Sequence, residues 1–264
     1  MLYGFVKNPV IDMRAEPKFR SERVHQLVFG EILAINAENI YRVERNDYIY
    51  ATDVRLNYSG FVNKNTIIIL TEEEKKELER FSILKVTNNF CRVILEDSAI
   101  KYTLPFGSRF YTDKKDILKC YLPNGKFLTV IDNPNFEILE DIRTGKREKM
   151  LKLALNFVGI PYLWGGTSSY GFDCSGFVNR IYDVFDITIP RDANQQEQVL
   201  EEVSKVQPGD LLFMEGHVML YFDNGKVVHA NGYDMCVSIT DLEKEDYGRW
   251  LKNKVRKICT VSEI

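Results

Sequence analysis

The sequence has no apolar run near the ~20 residues that a membrane-spanning helix requires, and no large excess of charge of either sign. Its formal net charge of −3 gives no electrostatic reason to expect binding to nucleic acid or to an anionic membrane. The first residues, Met1 to Pro9, lack the basic and apolar regions of a secretory signal peptide. We therefore expect a cytoplasmic protein, although a chain from which a signal had been removed would look the same.

Cysteine and histidine are both scarce. The five cysteines are widely spaced and contain no C-x-x-C pair, which argues against a disulfide framework and against a thiolate metal site. A Cys/His/His zinc site is the competing chemistry, but no spacing supports it and no fourth ligand is evident, so we expect no metal and no cofactor. Cys174 has small, polar neighbours. The other four lie in apolar, strand-like runs and are expected to be buried: Cys91, Cys120, Cys236 and Cys259.

Residues 1–70 and 83–140 have the composition of short strands separated by turns, whereas residues 71–82 are dense in charge. The clearest strand candidates in the first stretch are Val28–Ile35 and Ser59–Val62. Thr71 and Glu74 form a capping-box pattern, which predicts a short, solvated helix that connects the two β regions.

A weak internal repeat links the two β regions. Leu27–Glu31 resembles Leu104–Ser108, and Gly60–Val62 loosely resembles Gly125–Phe127. Duplication of one small all-β barrel would explain both similarities. The sequence therefore predicts a small barrel in residues 1–70 and another in residues 83–140.

Residues 145–264 have a different character, with helical patterns first and strands afterwards, which is typical of an α+β domain. Helices are predicted over Arg147–Val158, from Cys174, and from Asp192 to about Val203, where Asp192 and Gln195 have the pattern of an N-cap and its partner. The predicted strands are Leu211–Phe213, His217–Phe222, Lys226–Asn231, Cys236–Thr240 and Lys254–Val261.

Cys174 is the candidate nucleophile. Phe177, Ile181 and Phe185 follow it at a spacing of four, and glycine and proline precede it, so a helix is expected to begin at or beside Cys174. The unpaired N–H groups at a helix N-terminus favour a thiolate, but the helix dipole contributes only ~0.3–1 kcal/mol. That is less than one pK unit, so a partner base is required.

His217 and His229 are the candidate base and orienting group, because they lie on neighbouring predicted strands. We expect His217 to pair with Cys174 and to keep the thiol ionised near neutral pH. A plain two-residue turn at Asn224–Gly225 would place the two imidazoles on opposite faces of the sheet. The orienting role therefore predicts a three-residue loop with a left-handed Gly225, or an equivalent bulge.

Several short motifs resemble, in order, those of the NlpC-type (NlpC/p60) cysteine peptidases, and the match covers roughly residues 145–264. The resemblance implies a papain-like fold for that part of the chain. The first 140 residues more loosely resemble the paired bacterial SH3-like domains of some members. The expected fold is thus multidomain: two small all-β SH3-like barrels followed by an α+β papain-like domain. The motifs are Tyr162-x-Trp164-Gly165-Gly166, Phe172-Asp173-Cys174-Ser175-Gly176-Phe177, Pro190-Arg191, Gln207-Pro208-Gly209-Asp210-Leu211, Gly216-His217-Val218 and Val228-His229-Ala230.

The resemblance also implies roles for single residues. Cys174 would be the nucleophile, His217 the base and His229 the group that fixes the tautomer of His217. The Tyr162 hydroxyl and the Cys174 N–H would stabilise the oxyanion. Ala193 stands where a serine is expected in the closest relatives, so one substrate hydrogen bond would be missing or replaced. Substrate contacts are implied for Trp164, Asp173, Ser175 and Asp192, and, at the free substrate amine, for Glu22 and Tyr58 of the first barrel.

The implied activity is hydrolysis of the γ-D-Glu–diamino acid bond of cell-wall peptides with a free N-terminal L-Ala, such as the murein tripeptide, during murein peptide recycling. Two alternatives remain open. A papain-like acyltransferase can use the same cysteine and histidine, and a non-catalytic wall-binding protein would act through its SH3-like modules. The intact set of Cys174, His217 and His229 argues against the second alternative. The sequence does not distinguish diaminopimelate from lysine in the substrate.

Overall fold

The computed structural model describes residues 1–43, 46–96, 98–113, 115–131, 136–138, 146–244 and 246–261. The chain divides into two compact units, Met1–Leu139 and Glu140–Ile264. The domain boundary expected at residues 140–145 lies outside the described residues. Within the described ranges, no helix combines the length and the apolar character that crossing a membrane would require.

The N-terminal unit consists of antiparallel strands and short helices. A seven-stranded sheet has the order β3-β2-β6-β5-β4-β1-β7, a four-stranded sheet the order β10-β9-β13-β12, and a three-stranded sheet the order β11-β8-β14. The bounds are β1 Leu2–Val6, β2 Val10–Arg14, β3 Arg23–Val28, β4 Ile32–Val43, β5 Asn46–Asp53, β6 Tyr58–Asn63, a 3-10 turn Lys64–Thr66, β7 Ile67–Leu70, α1 Glu72–Leu78, β8 Ser82–Val86, β9 Phe90–Leu95, β10 Lys101–Pro105, β11 Arg109–Thr112, β12 Lys119–Tyr121, β13 Phe127–Val130 and β14 Phe136–Ile138.

The capping box expected at α1 is present. Thr71 Oγ1 accepts the N–H of Glu74 at 3.2 Å, and the Glu74 carboxylate accepts the N–H of Thr71 at 2.7 Å. The helix is not wholly solvated, because Leu78 in its last turn is buried. Leu78 joins a core cluster that combines residues from both halves of this unit, so α1 contributes to the core as well as connecting the strands.

The turns at Gly30 and Gly107 have the same conformation and the same hydrogen bonds. Both glycines adopt a φ of +84°. The Gly30 N–H donates to the Val6 carbonyl and the Gly107 N–H donates to the Val86 carbonyl, each at 2.9 Å. In both turns the preceding phenylalanine is buried, and the following N–H donates to the carbonyl three residues back at 3.2 Å. The similarity of Leu27–Glu31 to Leu104–Ser108 is therefore a repeat in the structure.

Two expectations for this unit are wrong. Val28–Ile35 is not one strand, because the left-handed turn at Gly30 separates β3 from β4. The looser similarity of Gly60–Val62 to Gly125–Phe127 has no structural counterpart. The first glycine of this pair lies within β6, whereas the second occupies a turn with a φ of +78°.

The C-terminal unit places three helices before an antiparallel sheet and a fourth helix between the last two strands of that sheet. The sheet has the order β17-β22-β18-β19-β20-β21, and β15 pairs with β16 in a separate short hairpin. The bounds are α2 Lys146–Leu155, β15 Thr167–Ser168, β16 Gly171–Phe172, α3 Cys174–Val184, α4 Ala193–Val199, β17 Glu201–Glu202, β18 Leu211–Met214, β19 His217–Asp223, β20 Lys226–Asn231, β21 Cys236–Asp241, α5 Asp246–Lys254 and β22 Lys257–Thr260.

Two helices of this unit are shorter than expected. The helix predicted over Arg147–Val158 ends at Leu155. The helix predicted to reach Val203 ends at Val199, because the chain becomes extended at Leu200 and then pairs as β17 with β22. Apolar side chains of the sheet pack with the last helix, and full burial of each contributes about 1.5–3 kcal/mol. This cluster contains Leu212, Met219, Val227, Leu242 and Leu251.

Gly30→Ala should destabilise the N-terminal unit strongly. A Cβ at Gly30 would lie 2.2 Å from the Arg109 carbonyl oxygen, and the positive φ adds strain. Gly125→Ala is the matched control, because its φ is also positive but its Cβ would meet no atom within 4 Å. We expect a loss of about 1–2 kcal/mol for the control and several kcal/mol for Gly30→Ala. Chemical denaturation of the full chain measures both, and equal losses would contradict the close packing of this turn.

Candidate active site

Cys174 is the first residue of α3, as the sequence predicted. Asp173 caps the helix, because its Oδ1 accepts the N–H of Gly176 at 2.6 Å. Every residue of α3 is buried, and Phe177 packs edge-on against Phe172 and Phe157 with ring centroids 5.5 and 6.4 Å away. The helix start is therefore held by a cap and by an aromatic cluster, which fixes the position of the thiol.

Asp173 also forms a buried ion pair with Arg191. The two guanidinium nitrogens of Arg191 donate to the two carboxylate oxygens at 2.6 and 3.2 Å, and both side chains are buried. The Gly165 N–H donates to Oδ2 at 2.9 Å. Breaking a buried pair by removing one partner typically costs about 3–5 kcal/mol, so this pair fixes the loop before α3. No particular role was predicted for Arg191, because its partner Asp173 lies 18 residues away in a different segment.

Asp173 and Ser175, both expected to contact substrate, are thus engaged within the protein. Asp173 already accepts hydrogen bonds on both oxygens from backbone and arginine donors. Ser175 Oγ accepts from Arg191 at 2.9 Å and lies 3.3 Å from Asp173 Oδ1. A carboxylate offers about four lone-pair sites, so a substrate amine would have to share an occupied Asp173. The geometry supports a positioning role for both residues, and their contact with substrate stays a prediction.

The hairpin of β19 and β20 contains the bulge that the orienting role required. Asp223 pairs with Lys226 across a two-residue turn, but the next pair is Tyr221 with Val227, so Phe222 is the extra residue. Both turn residues have a positive φ, as in a type I′ turn. The loop is therefore two residues long and the shift comes from the bulge. The three-residue loop predicted from the sequence is therefore wrong, and the bulge predicted as its alternative is confirmed.

The bulge brings the two candidate imidazoles to one face of the sheet. His217 Nε2 lies 2.8 Å from His229 Nδ1, and the ring centroids are 5.1 Å apart. His217 is half-buried at the start of β19, whereas His229 is fully buried. Nε2 of His217 is engaged with His229, so Nδ1 is the ring nitrogen left for a reacting group.

The Cys174 thiol lies beside the start of β19. Its Sγ is 4.0 Å from the carbonyl oxygen of Gly216, the residue before His217. Burial raises the pKa of the thiol to about 11, and the charge of Asp173 adds to this, whereas the N–H groups of Val218 and Ser175 oppose it. Among the described residues, no group of three or more histidine, cysteine, aspartate or glutamate side chains could hold a metal ion.

Burial opposes the expected thiolate–imidazolium pair, and that pair stays a prediction. Burial lowers the pKa of His217 to about 4, from an ordinary value of 6.5. Burial and the neighbouring imidazole lower the pKa of His229 to about 3. Desolvation disfavours the charged forms of thiol and imidazole alike. Burial thus opposes ionisation of the thiol and of both imidazoles.

Tyr162 lies in the electrostatic field of the nucleophile. Burial raises the pKa of its hydroxyl to about 12, and the charges of Cys174 and Asp173 add to the shift. Its backbone is held in place because the Tyr162 N–H donates to the Met235 carbonyl at 2.8 Å. The hydroxyl therefore stays a donor at neutral pH, as an oxyanion-binding group must. Trp164 is 62% exposed, and its expected contact with substrate stays a prediction.

The remaining predicted residues are placed as follows. Asp192 occupies the N-cap position of α4, but its side chain accepts no capping hydrogen bond, so the expected pairing with Gln195 is wrong. Tyr58 and Glu22 belong to the N-terminal unit, where Tyr58 packs against the core and lies 5.7 Å from the His25 ring, and Glu22 is exposed. Their role at a substrate amine stays a prediction.

Four cysteines were expected to be buried in the core. Cys91, Cys120 and Cys259 are buried. Cys236 is half-buried, because it opens β21 at the edge of the sheet. The Cys236 thiol is therefore more accessible than the Cys174 thiol, so a labelling reagent would also react with Cys236.

A cysteine at the N-terminus of a buried helix, beside a hydrogen-bonded pair of imidazoles on an antiparallel sheet, defines a cysteine–histidine nucleophilic site. Residues 159–256 match the NlpC/P60 family, so the chain contains an NlpC/P60 domain.

Two bacterial peptidases are similar to a larger part of the chain than residues 159–256. Gamma-D-glutamyl-L-lysine dipeptidyl-peptidase of Bacillus cereus is 31% identical over 181 residues, which cover 64% of this chain and 50% of the relative. Dipeptidyl-peptidase 6 of Lysinibacillus sphaericus is 26% identical over 254 residues, which cover 89% of both. The match to this chain thus spans about half the length of the Bacillus cereus peptidase.

A crystal structure of an NlpC/P60 family protein from Bacillus cereus has a similar fold. The comparison covers 98% of this chain and 99% of that chain, with a TM-score of 0.80 at 20% sequence identity. At this level of identity the comparison establishes the fold alone. The protein is mostly β-structure with a C-terminal NlpC/P60 domain.

The charge state of Cys174 can be measured from the pH dependence of its alkylation by iodoacetamide. Only the thiolate reacts, so a pKa near 11 predicts a rate that rises about tenfold per pH unit from about pH 6 to about pH 9. The measurement uses Cys236→Ala, which removes the more exposed thiol. A rate that stays constant over this range would instead show a thiolate–imidazolium pair in the free protein.

Proposed function

We propose that this protein is a cysteine peptidase that hydrolyses the γ-D-Glu–diamino acid bond of cell-wall peptides. The observation that carries the proposal is the hydrogen bond of 2.8 Å between His217 and His229 beside Cys174, the first residue of α3. The names of the relatives from Bacillus cereus and Lysinibacillus sphaericus support a dipeptidyl-peptidase activity, and the Bacillus cereus name supports a γ-D-glutamyl bond as its target.

In the proposed reaction, Cys174 Sγ attacks the γ-carbonyl carbon of D-Glu while its proton passes to His217 Nδ1. Because burial opposes both charges in the free site, we place proton transfer in the step in which the carbon–sulfur bond forms. The Tyr162 hydroxyl and the Cys174 N–H would donate to the oxyanion. The carbon–nitrogen bond then breaks as His217 returns the proton to the leaving amine. Water, deprotonated by His217, attacks the thioester carbon, the carbon–sulfur bond breaks, and His217 returns the proton to Cys174 Sγ.

We also propose that the N-terminal unit consists of two SH3-like barrels, in residues 1–70 and 83–140, joined by residues 71–82. The repeated turn at Gly30 and Gly107, with matching backbone hydrogen bonds, supports a duplicated module. A role in murein peptide recycling and a cytoplasmic location stay predictions from the sequence.

The proposal is tested with L-Ala-γ-D-Glu linked to lysine or to diaminopimelate, and with the α-linked isomer as a substrate control. The full-length protein should release the free diamino acid from a γ-linked peptide and leave the α-linked isomer intact. Cys174→Ala should lower the rate by at least ~10³-fold, because the nucleophile is lost. Cys236→Ala is the matched control and should retain the wild-type rate.

Other outcomes of this experiment identify the alternatives. Transfer of the dipeptide to an added amine, with little hydrolysis, would identify an acyltransferase. Binding of the peptides without cleavage would contradict the enzymatic proposal and favour a wall-binding protein.

A further inference from the structure

The hydrogen bonds of the site continue beyond the two imidazoles. His229 Nε2 lies 3.0 Å from Thr240 Oγ1 on β21 and 3.3 Å from Asn231 Nδ2. His229, Thr240 and Asn231 are each at most 1% exposed. Burial keeps bulk water from replacing these partners, so they decide which nitrogen of His229 carries the proton.

The direction of proton transfer requires one tautomer of His229. For His217 to accept the thiol proton on Nδ1, its Nε2 must carry the other ring proton and donate to His229 Nδ1. His229 Nδ1 is then the acceptor, so the proton of neutral His229 lies on Nε2. That Nε2–H requires an acceptor, and the Thr240 hydroxyl oxygen is placed to accept it at 3.0 Å.

Asn231 cannot act as this acceptor. Its Oδ1 accepts the backbone N–H groups of Tyr233 and Asp234 at 2.9 and 2.8 Å, which fixes the orientation of the amide. The group that faces His229 is therefore Nδ2, which only donates. A donor at this position favours the opposite tautomer of His229, which would place the proton of His217 on Nδ1 and block its action as a base.

The Nδ2 group of Asn231 has other acceptors. It donates to Ser238 Oγ at 2.8 Å and lies 3.3 Å from the Asp234 carboxylate. Its two hydrogens are thus satisfied without His229. Thr240 alone among these neighbours favours the productive tautomer.

We propose that Thr240 is a positioning residue, whose hydroxyl oxygen accepts the Nε2–H of His229 and thereby sets the tautomer in which His217 Nδ1 can accept the thiol proton. The tautomer part of the proposal follows from the geometry, and its catalytic consequence rests on the proposed peptidase function. In the acylation step the Nε2 protons of both histidines stay in place, and the thiol proton moves first to His217 Nδ1 and then to the leaving amine.

Thr240→Val removes the acceptor while keeping the shape of the side chain, and Thr240→Ser keeps the hydroxyl. Nitrogen-15 NMR of the full-length protein with labelled histidine distinguishes the tautomers directly. We expect His229 to carry its proton on Nε2 in the wild type and in Thr240→Ser, and on Nδ1 in Thr240→Val. Denaturation midpoints of the variants, measured in parallel, show whether each is folded.

Kinetics on the γ-linked peptide give a second readout. Thr240→Val should lower kcat by roughly 10- to 100-fold with little change in KM, and Thr240→Ser should recover most of it. Replacing the orienting group itself, which leaves the histidine in the wrong tautomer, lowers kcat by ~10⁴-fold in serine proteases. The loss is expected to be smaller here because His229, the orienting group, is still present. If Thr240 had only a structural role, Thr240→Val would lower stability. It would not lower kcat at a nearly constant KM, and it would not change the tautomer of His229.

A wild-type His229 with its proton on Nδ1 would overturn the proposal, even if Thr240→Val did not fold. An unchanged tautomer in a folded Thr240→Val would also overturn it. A protein that cleaves none of the peptides would contradict the proposed function, whereas the NMR measurement would still decide the role of Thr240.

Discussion

The extra residue Phe222 in the hairpin of β19 and β20 is the constraint on which the site depends. Side chains alternate across a strand, so a shift of one residue moves every later side chain to the other face. Without the bulge, His229 would point away from His217. With it, the two rings form a hydrogen bond of 2.8 Å. The contact between the two imidazoles is thus a consequence of backbone register.

A second constraint is the burial of the charged side chains of Asp173 and Arg191 beside Cys174. The ion pair of Asp173 and Arg191 and the cap on α3 hold the loop that carries Cys174. The same burial disfavours ionisation of the thiol and of both imidazoles. The low dielectric that suppresses charge in the free site strengthens any hydrogen bond to charge that develops in the transition state.

The sequence was sufficient for features that depend on local patterns. The start of α3 at Cys174, the capping box at Thr71 and the requirement for a bulge all follow from spacing, helix capping or strand alternation. Features that depend on tertiary contacts were not predictable. The partner of Arg191 comes from a different segment, and the acceptor for His229 lies on the next strand, so neither pairing has a local signal. The burial that raises the pKa of the Cys174 thiol likewise has no local signal, and the expected ionisation of Cys174 stays a prediction.

The most direct measurement of the central claim is mass spectrometry of the full-length protein after rapid acid quench during turnover of L-Ala-γ-D-Glu-diamino acid. We expect a peptide containing Cys174 that carries the mass of the L-Ala-γ-D-Glu acyl group, because the thiol forms a thioester before water attacks. Release of the diamino acid without any acyl adduct on Cys174, or with the adduct on another cysteine, would contradict it.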